Sequence, residues 1–268
     1  MLQLKGISKT FNSGSVNELC LFRDFDFTVQ DGEFVSVVGS NGSGKSTLLN
    51  MICGTVSVDA GQILINGRDI SGEKDFIRQR RIGRVYQDPA RGTCPGMTIM
   101  ENLSIADNKG KHYNLTGCVN KGKTEVYRNM LRSLKLGLED KLEVQVGALS
   151  GGQRQALALL MAVMAPVDFL ILDEHTAALD PKTAETIMEL TEKLVKEKQM
   201  TAIMVTHNLR HAVKYGSRLV MMQEGSVVLD LVGAEKQRAD AEQVMRIFNG
   251  IGLEQGRCQT QGSFQIWG

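Results

Sequence analysis

The chain reads as an α/β protein with a mostly parallel sheet, interrupted by an inserted helical segment. Three observations predict this. Residues 34–38, 169–172 and 201–205 are near-continuous apolar runs, the pattern of strands covered on both faces. A helix stands between the last two. Asp180 can cap it, Pro181 suits its first position, and Ile187, Leu190, Leu194 and Val195 recur at helical spacing, with Glu189, Lys193 and Lys196 between them. Residues 88–165, by contrast, carry little strand signal, and helical patterns resume near Glu125.

The remaining elements follow from shorter signals. Strands are expected at 62–65, 82–86, 219–222 and 227–229. Gly, Asn and Lys cluster over 108–123, which predicts an exposed loop. The most apolar stretch, 156–172, is interrupted by Pro166 and Asp168, so it reads as a buried helix, a turn and a buried strand rather than a membrane span. A helix is expected over about 240–248, and the Gly- and Gln-rich end, 251–268, as a flexible tail.

Bulk properties narrow the function classes. A chain of 268 residues makes one large domain or two small ones. Its 31 Lys and Arg against 30 Asp and Glu give no reason to expect nucleic acid or an anionic membrane as a partner. Cys20, Cys53, Cys94, Cys118 and Cys258 are scattered without C-x-x-C spacing, as expected of free thiols in a reducing compartment. Met1-Leu2-Gln3-Leu4-Lys5 is not a basic start leading into an apolar core. The expectation is a cytosolic protein that serves a membrane only through a partner.

The first strand runs into Gly39-Ser40-Asn41-Gly42-Ser43-Gly44-Lys45-Ser46-Thr47, a match to G-x-x-x-x-G-K-[ST], and a helix follows through Leu48, Leu49 and Ile52 to Gly54. Strand, glycine loop and helix are the setting a phosphate loop needs. The glycines let the backbone wrap tightly and aim successive N–H groups at phosphate oxygens, and the helix N-terminus adds its dipole. Lys45 can reach the β- and γ-phosphates of ATP, and the Ser46 hydroxyl can ligate Mg²⁺. The bare pattern arises by chance in on the order of 1% of chains this long, and the flanking elements lower that further.

The strand at 169–172 ends in Asp173-Glu174. Acidic residues at strand ends are usually just solvated. Beside a phosphate loop, however, Asp173 is placed to hold Mg²⁺ through water and Glu174 to orient or deprotonate the attacking water.

Leu149-Ser150-Gly151-Gly152-Gln153, followed by Arg154-Gln155-Ala156-Leu157-Ala158 and shortly by Asp173-Glu174, matches the signature of the ABC ATPases. The chain resembles that family from about residue 2 to 248. The resemblance implies a P-loop NTPase core with an N-terminal antiparallel β-subdomain (core and β-subdomain roughly 1–87 and 166–250) and an α-helical subdomain (roughly 88–165). It implies that Gln87 contacts Mg²⁺ and links the core to the helical part. Ala178-Leu179-Asp180 would cross a dimer interface, His207 would contact the γ-phosphate, and Phe11 would stack on adenine. Read singly, Gln87 is a strand-end polar residue, Asp180 a helix cap, His207 a structural histidine and Phe11 a core ring; their order and setting favour the functional readings. Two positions depart from the family pattern. Phe11 replaces the commoner tyrosine, which keeps stacking and loses a hydroxyl. His175 replaces a common proline; an exposed histidine there would titrate near neutral pH, and no role is assigned to it.

The resemblance further implies that Ser150, Gly151, Gly152 and Gln153 face the phosphate loop of a second copy, or of a homologous ATPase, so that two ATP are sandwiched head to tail. Closure of the dimer would move the helical part against transmembrane permease subunits at the cytoplasmic face of the membrane, alongside an extracytoplasmic substrate-binding protein. Uptake of a small organic solute such as an amino acid is the expected task. The alternatives are an ABC ATPase that regulates a membrane complex without solute transport, and a non-transport type acting in translation or DNA repair. The last type carries paired cassettes, long coiled coils or zinc inserts, and this sequence shows none of these.

Overall fold

The computed structural model describes residues 1–111 and 119–248. Two long strands open the chain, β1 (Leu2–Phe11) and β2 (Leu19–Val29), paired antiparallel. The pattern reading at 34–38 and beyond did not reach these two. Their ladder shifts register between Leu4 and Ile7, Ile7 and Lys9, and Lys9 and Thr10, which breaks the period-two alternation that marks a strand. Next come β3 (Phe34–Gly39), buried at every residue, α1 (Lys45–Cys53), β4 (Ala60–Ile65) and the short β5 (Arg68–Asp69). β4 lies on the other side of β1, completing an antiparallel sheet in the order β2-β1-β4-β5.

A short helix, α2 (Asp75–Arg78), leads to β6 (Ile82–Val85). Between β6 and the next sheet strand the described residues form α3 (Ile99–Asp107), α4 (Thr124–Arg132) and α5 (Gly151–Ala162), with no strand of either sheet. The chain then alternates: β7 (Phe169–Asp173), α6 (Pro181–Glu197), β8 (Ala202–Val205), α7 (Leu209–Lys214), β9 (Arg218–Gln223), β10 (Ser226–Val232) and α8 (Gly233–Arg238). A last described helix covers 241–248 and buries Val244. Residues 112–118 of the expected loop and the expected tail at 251–268 lie outside the described residues, as do Cys118 and Cys258.

The second sheet runs β10-β9-β3-β8-β7-β6, parallel throughout except at β10. Its apolar runs alternate between two cores. Val35, Val37, Ile171, Ile203 and Val205 join Leu48 and Ile52 of α1 and the antiparallel sheet on one side. Leu170, Leu172, Ala202 and Met204 join α6 and the helical segment, including Leu103, Tyr127 and Leu157, on the other. This double cover is why the strands read as continuous apolar runs. The order places β8 between β3 and β7, so the carboxyl ends of β3, β8, β7 and β6 stand side by side, the edge at which open α/β sheets bind ligands.

Candidate nucleotide site

The loop after β3 has a backbone that glycine makes possible. Gly44 sits at φ 101, and a Cβ there would lie 2.8 Å from the Phe22 ring of β2. A Cβ on Gly39 would lie 2.3 Å from the Met222 carbonyl oxygen of β9. Gly44 is also the N-cap of α1 and offers no side-chain acceptor, so the first N–H groups of the helix are left for a ligand. Lys45 folds back over the loop. Its ammonium donates to the carbonyls of Gly39 and Ser40, 2.8 Å each, and to Ser43 Oγ at 3.3 Å. Burial pushes its pKa down, and the nearby Glu174 carboxylate opposes that shift. Ser40, Asn41, Gly42 and Ser46 are exposed and Thr47 is half-buried.

Each neighbouring strand end adds a group. A cleft of about 550 Å³ is lined by Ser46 and Asn50 of α1, by Arg84, Tyr86 and Gln87 at the end of β6, and by Asp173 and Glu174 at the end of β7. Glu174 stands at φ 48, a costly conformation for a side-chain-bearing residue. It is held there by its N–H to the Val205 carbonyl and its carbonyl to the Ala177 N–H, 2.9 Å each. The result aims the carboxylate at His207, whose Nε2 is 2.6 Å from Glu174 Oε1. Gln87 begins where Tyr86 ends, and the Tyr86 carbonyl accepts from Gln155 Nε2 of α5 at 3.1 Å, tying this turn to the helical segment.

Sequence reasoning missed Arg84 and Asn50. The Arg84 guanidinium donates to Asp173 Oδ2 at 2.8 Å and to Asn50 Oδ1 at 3.0 Å. A signal was present: Arg84 is the one charge in the apolar run 82–85, and such a charge needs a partner.

Other expected residues stand elsewhere. Phe11 ends β1 and packs on the apolar cluster that includes Phe22, with Lys9 Nζ 5.4 Å from its ring centroid. Ser150 is the N-cap of α5. It accepts from the Gln153 N–H while Gln153 Oε1 accepts from the Ser150 N–H, a reciprocal cap. Gly152 is buried where α5 meets α6; a Cβ there would lie 2.3 Å from Thr183 Cγ2. None of Ser150, Gly151, Gly152 and Gln153 lines the cleft. Asp180 caps α6 by accepting from the Thr183 N–H at 3.0 Å, and this hydrogen bonding holds its carboxyl below the usual carboxylate range.

His175 requires a correction. It is not exposed: only 2% of its surface meets solvent, and its Nε2 lies 3.1 Å from Thr191 Oγ1 of α6. Burial, with a smaller contribution from His211, pushes its pKa down to about 3, so it is a neutral core residue at neutral pH. The turn after Glu174 folds inward under α6, which contiguous sequence does not reveal.

The family model described as ABC transporter matches residues 22–177, from the ring behind Gly44 through Glu174. The chain belongs to the ABC transporter family. It is one of the family's ATPases. A tyrosine transport ATP-binding protein of Clostridioides difficile strain R20291 is 47% identical over 248 residues, 92% of this chain and 98% of that one. A methionine import ATP-binding protein of Listeria innocua is 35% identical over 85% of this chain and 65% of that one. Among solved structures, the dimeric ATP-binding cassette MJ0796 bound to ADP and Pi is 30% identical, with a TM-score of 0.72 over 87% of this chain and 98% of that one. This ABC ATPase thus has the fold of ATP-hydrolysing cassettes. No helix among its described residues is long and apolar enough to cross a membrane.

Proposed function

We propose that this ABC ATPase powers uptake of a small organic solute, an amino acid in the first instance, through partner membrane subunits, and that it works as a head-to-tail dimer around two ATP. The observation that carries the dimer is the incompleteness of the cleft. Phosphate loop, Asp173, Glu174, Gln87 and His207 converge, while the Ser150 cap of α5 does not join them. The start of α5 also suits an anion, through its helix dipole and the Ser150 hydroxyl, and a second copy would bring a phosphate to it. The amino-acid reading is supported by the tyrosine and methionine transport names of two relatives.

Within each site, Phe11 stacks on adenine and the N–H groups of residues 39–47 hold the phosphates. Lys45 exchanges two loop carbonyls for β- and γ-phosphate oxygens. Glu174 orients the attacking water and takes its proton, and His207, whose Nε2 lies 2.6 Å from Glu174 Oε1, contacts the γ-phosphate. Ser46, Gln87 and Asp173 present oxygen ligands to one cleft, a set that fits Mg²⁺. Bound there, the ion would supply neutralisation of the phosphate charge. The helical segment (88–165), tied to the Gln87 turn through Gln155, meets the membrane subunits, which hold the ATPase peripherally at the cytoplasmic face.

Copurification with the membrane subunits, followed by ATPase assays in liposomes with the binding protein and each candidate solute, tests this. Stimulation by an aromatic or other amino acid is expected. A copurifying membrane complex whose ATPase responds to no solute would overturn the transport reading in favour of a regulatory one.

A further inference from the structure

Arg84 is a charge on a face built for apolar side chains. It pairs in register with Ile171 on β7, so it shares the sheet face covered by α1, and Asp173 lies two residues further along that same face. Its guanidinium forks. One nitrogen donates to Asp173 Oδ2 at 2.8 Å, the other to Asn50 Oδ1 at 3.0 Å. Both partners of the ion pair are largely withdrawn from water, with side-chain exposures of 12% for Arg84 and 19% for Asp173. Asp173 Oδ1 accepts no hydrogen bond from the described residues, and Asp173 lines the cleft together with Ser46 and Gln87. The same guanidinium lies 4.8 Å from the centre of the Tyr86 ring, with the Arg91 guanidinium 4.9 Å from it, immediately before Gln87.

We infer that Arg84 is a positioning residue that sets the metal affinity of the nucleotide site: it fixes the Asp173 carboxylate through Oδ2, leaves Oδ1 for the metal shell, and acts as a resident counter-charge that the divalent cation must share. The physical reason is that a half-buried carboxylate binds a second cation less tightly when a first already neutralises it. The fork geometry directs the hold onto Oδ2, while the positive charge itself sets the affinity, so a lysine ammonium, which keeps the charge, keeps the effect. The inference rests on Asp173 serving the metal.

The test separates metal binding from turnover. ATP affinity is titrated in EDTA, and then against Mg²⁺ and against Mn²⁺ followed by its paramagnetic signal, for the wild type, Arg84→Gln, Arg84→Met, Arg84→Lys and Asp173→Asn. Arg84→Gln keeps a donor for Asn50 and carries the test if Arg84→Met does not fold. ATP affinity in EDTA is expected to stay within about twofold of wild type in all Arg84 variants, because the phosphate loop is intact. The half-saturating metal concentration is expected to fall about three- to tenfold in Arg84→Gln and Arg84→Met and to stay near wild type in Arg84→Lys. Unchanged or weaker metal binding in Arg84→Gln overturns the inference. Asp173→Asn distinguishes the two failures. If it leaves metal affinity unchanged, the reading of Asp173 falls; if it weakens metal binding while Arg84→Gln does not tighten it, only the role of Arg84 falls.

Discussion

At the scale of single residues, the site depends on groups whose chemistry is set by burial and neighbours. The Lys45 ammonium donates to two carbonyls and a hydroxyl of the loop. Lys45→Ala should therefore weaken ATP binding by about ten- to a hundredfold, the worth of charge-assisted hydrogen bonds to phosphate, measured by equilibrium titration. Unchanged affinity would contradict the phosphate-loop reading. His175 makes a pH prediction of a defined sign. Its native pKa is pushed to about 3 from an ordinary 6.5, so the unfolded chain binds a proton that the native state refuses. Stability from this site is complete above pH 6.5 and is lost as pH falls toward 3. Between pH 7 and pH 5, His175→Gln should lose about 2 kcal/mol less unfolding free energy than wild type in urea titrations. Equal losses would mean that His175 does not stay neutral.

At the scale of elements, the site is built from strand ends and helix starts. α6 begins at a side-chain cap, with Asp180 accepting from the Thr183 N–H and Pro181 at the first turn. Asp180→Ala should cost about 1 kcal/mol of stability in the nucleotide-free protein, and Asp180→Asn much less, because the amide oxygen still caps. Denaturant titration of the three proteins checks this; equal stabilities would show that the cap contributes nothing. The turn into α1 is constrained differently. At Gly44, positive φ and the Phe22 ring act together. Gly44→Ala should lower stability by about 1–3 kcal/mol, and thermal melting reads the loss. In this way the antiparallel sheet, through β2, braces the loop that holds phosphate.

For the whole molecule, the question is what completes the cleft. The ends of β6 and β7 and the start of α1 line it, His207 after β8 meets it at Glu174, and the α5 cap stays outside. Glu174→Gln should preserve ATP binding, remove most turnover and accumulate an ATP-dependent dimer in sedimentation experiments. A variant that remains monomeric with ATP would count against the sandwich. A mixing experiment is sharper. Lys45→Ala and Ser150→Arg chains are each expected to be nearly inactive, and a mixture should regain turnover. The mixed dimer joins the intact phosphate loop of one chain to the intact Ser150 cap of the other. Absence of recovery, with mixed dimers present, would argue that each chain works alone.

The sequence by itself determined what contiguous residues can determine: the phosphate loop, the carboxylates ending β7, the cap at Asp180, the α6 helix and the signature that led to the family. These are local because backbone geometry and capping act over a few residues. The two N-terminal strands stayed hidden as individual elements because their irregular ladder erases the alternation. Tertiary structure alone decided which strand ends are neighbours. The order β3-β8-β7-β6 is not chain order, and it sets Glu174 against His207 and Arg84 against Asp173 across 33 and 89 positions of sequence. It also turned His175 from a surface group into a buried neutral one, because burial depends on what packs above a turn, and α6 does that packing.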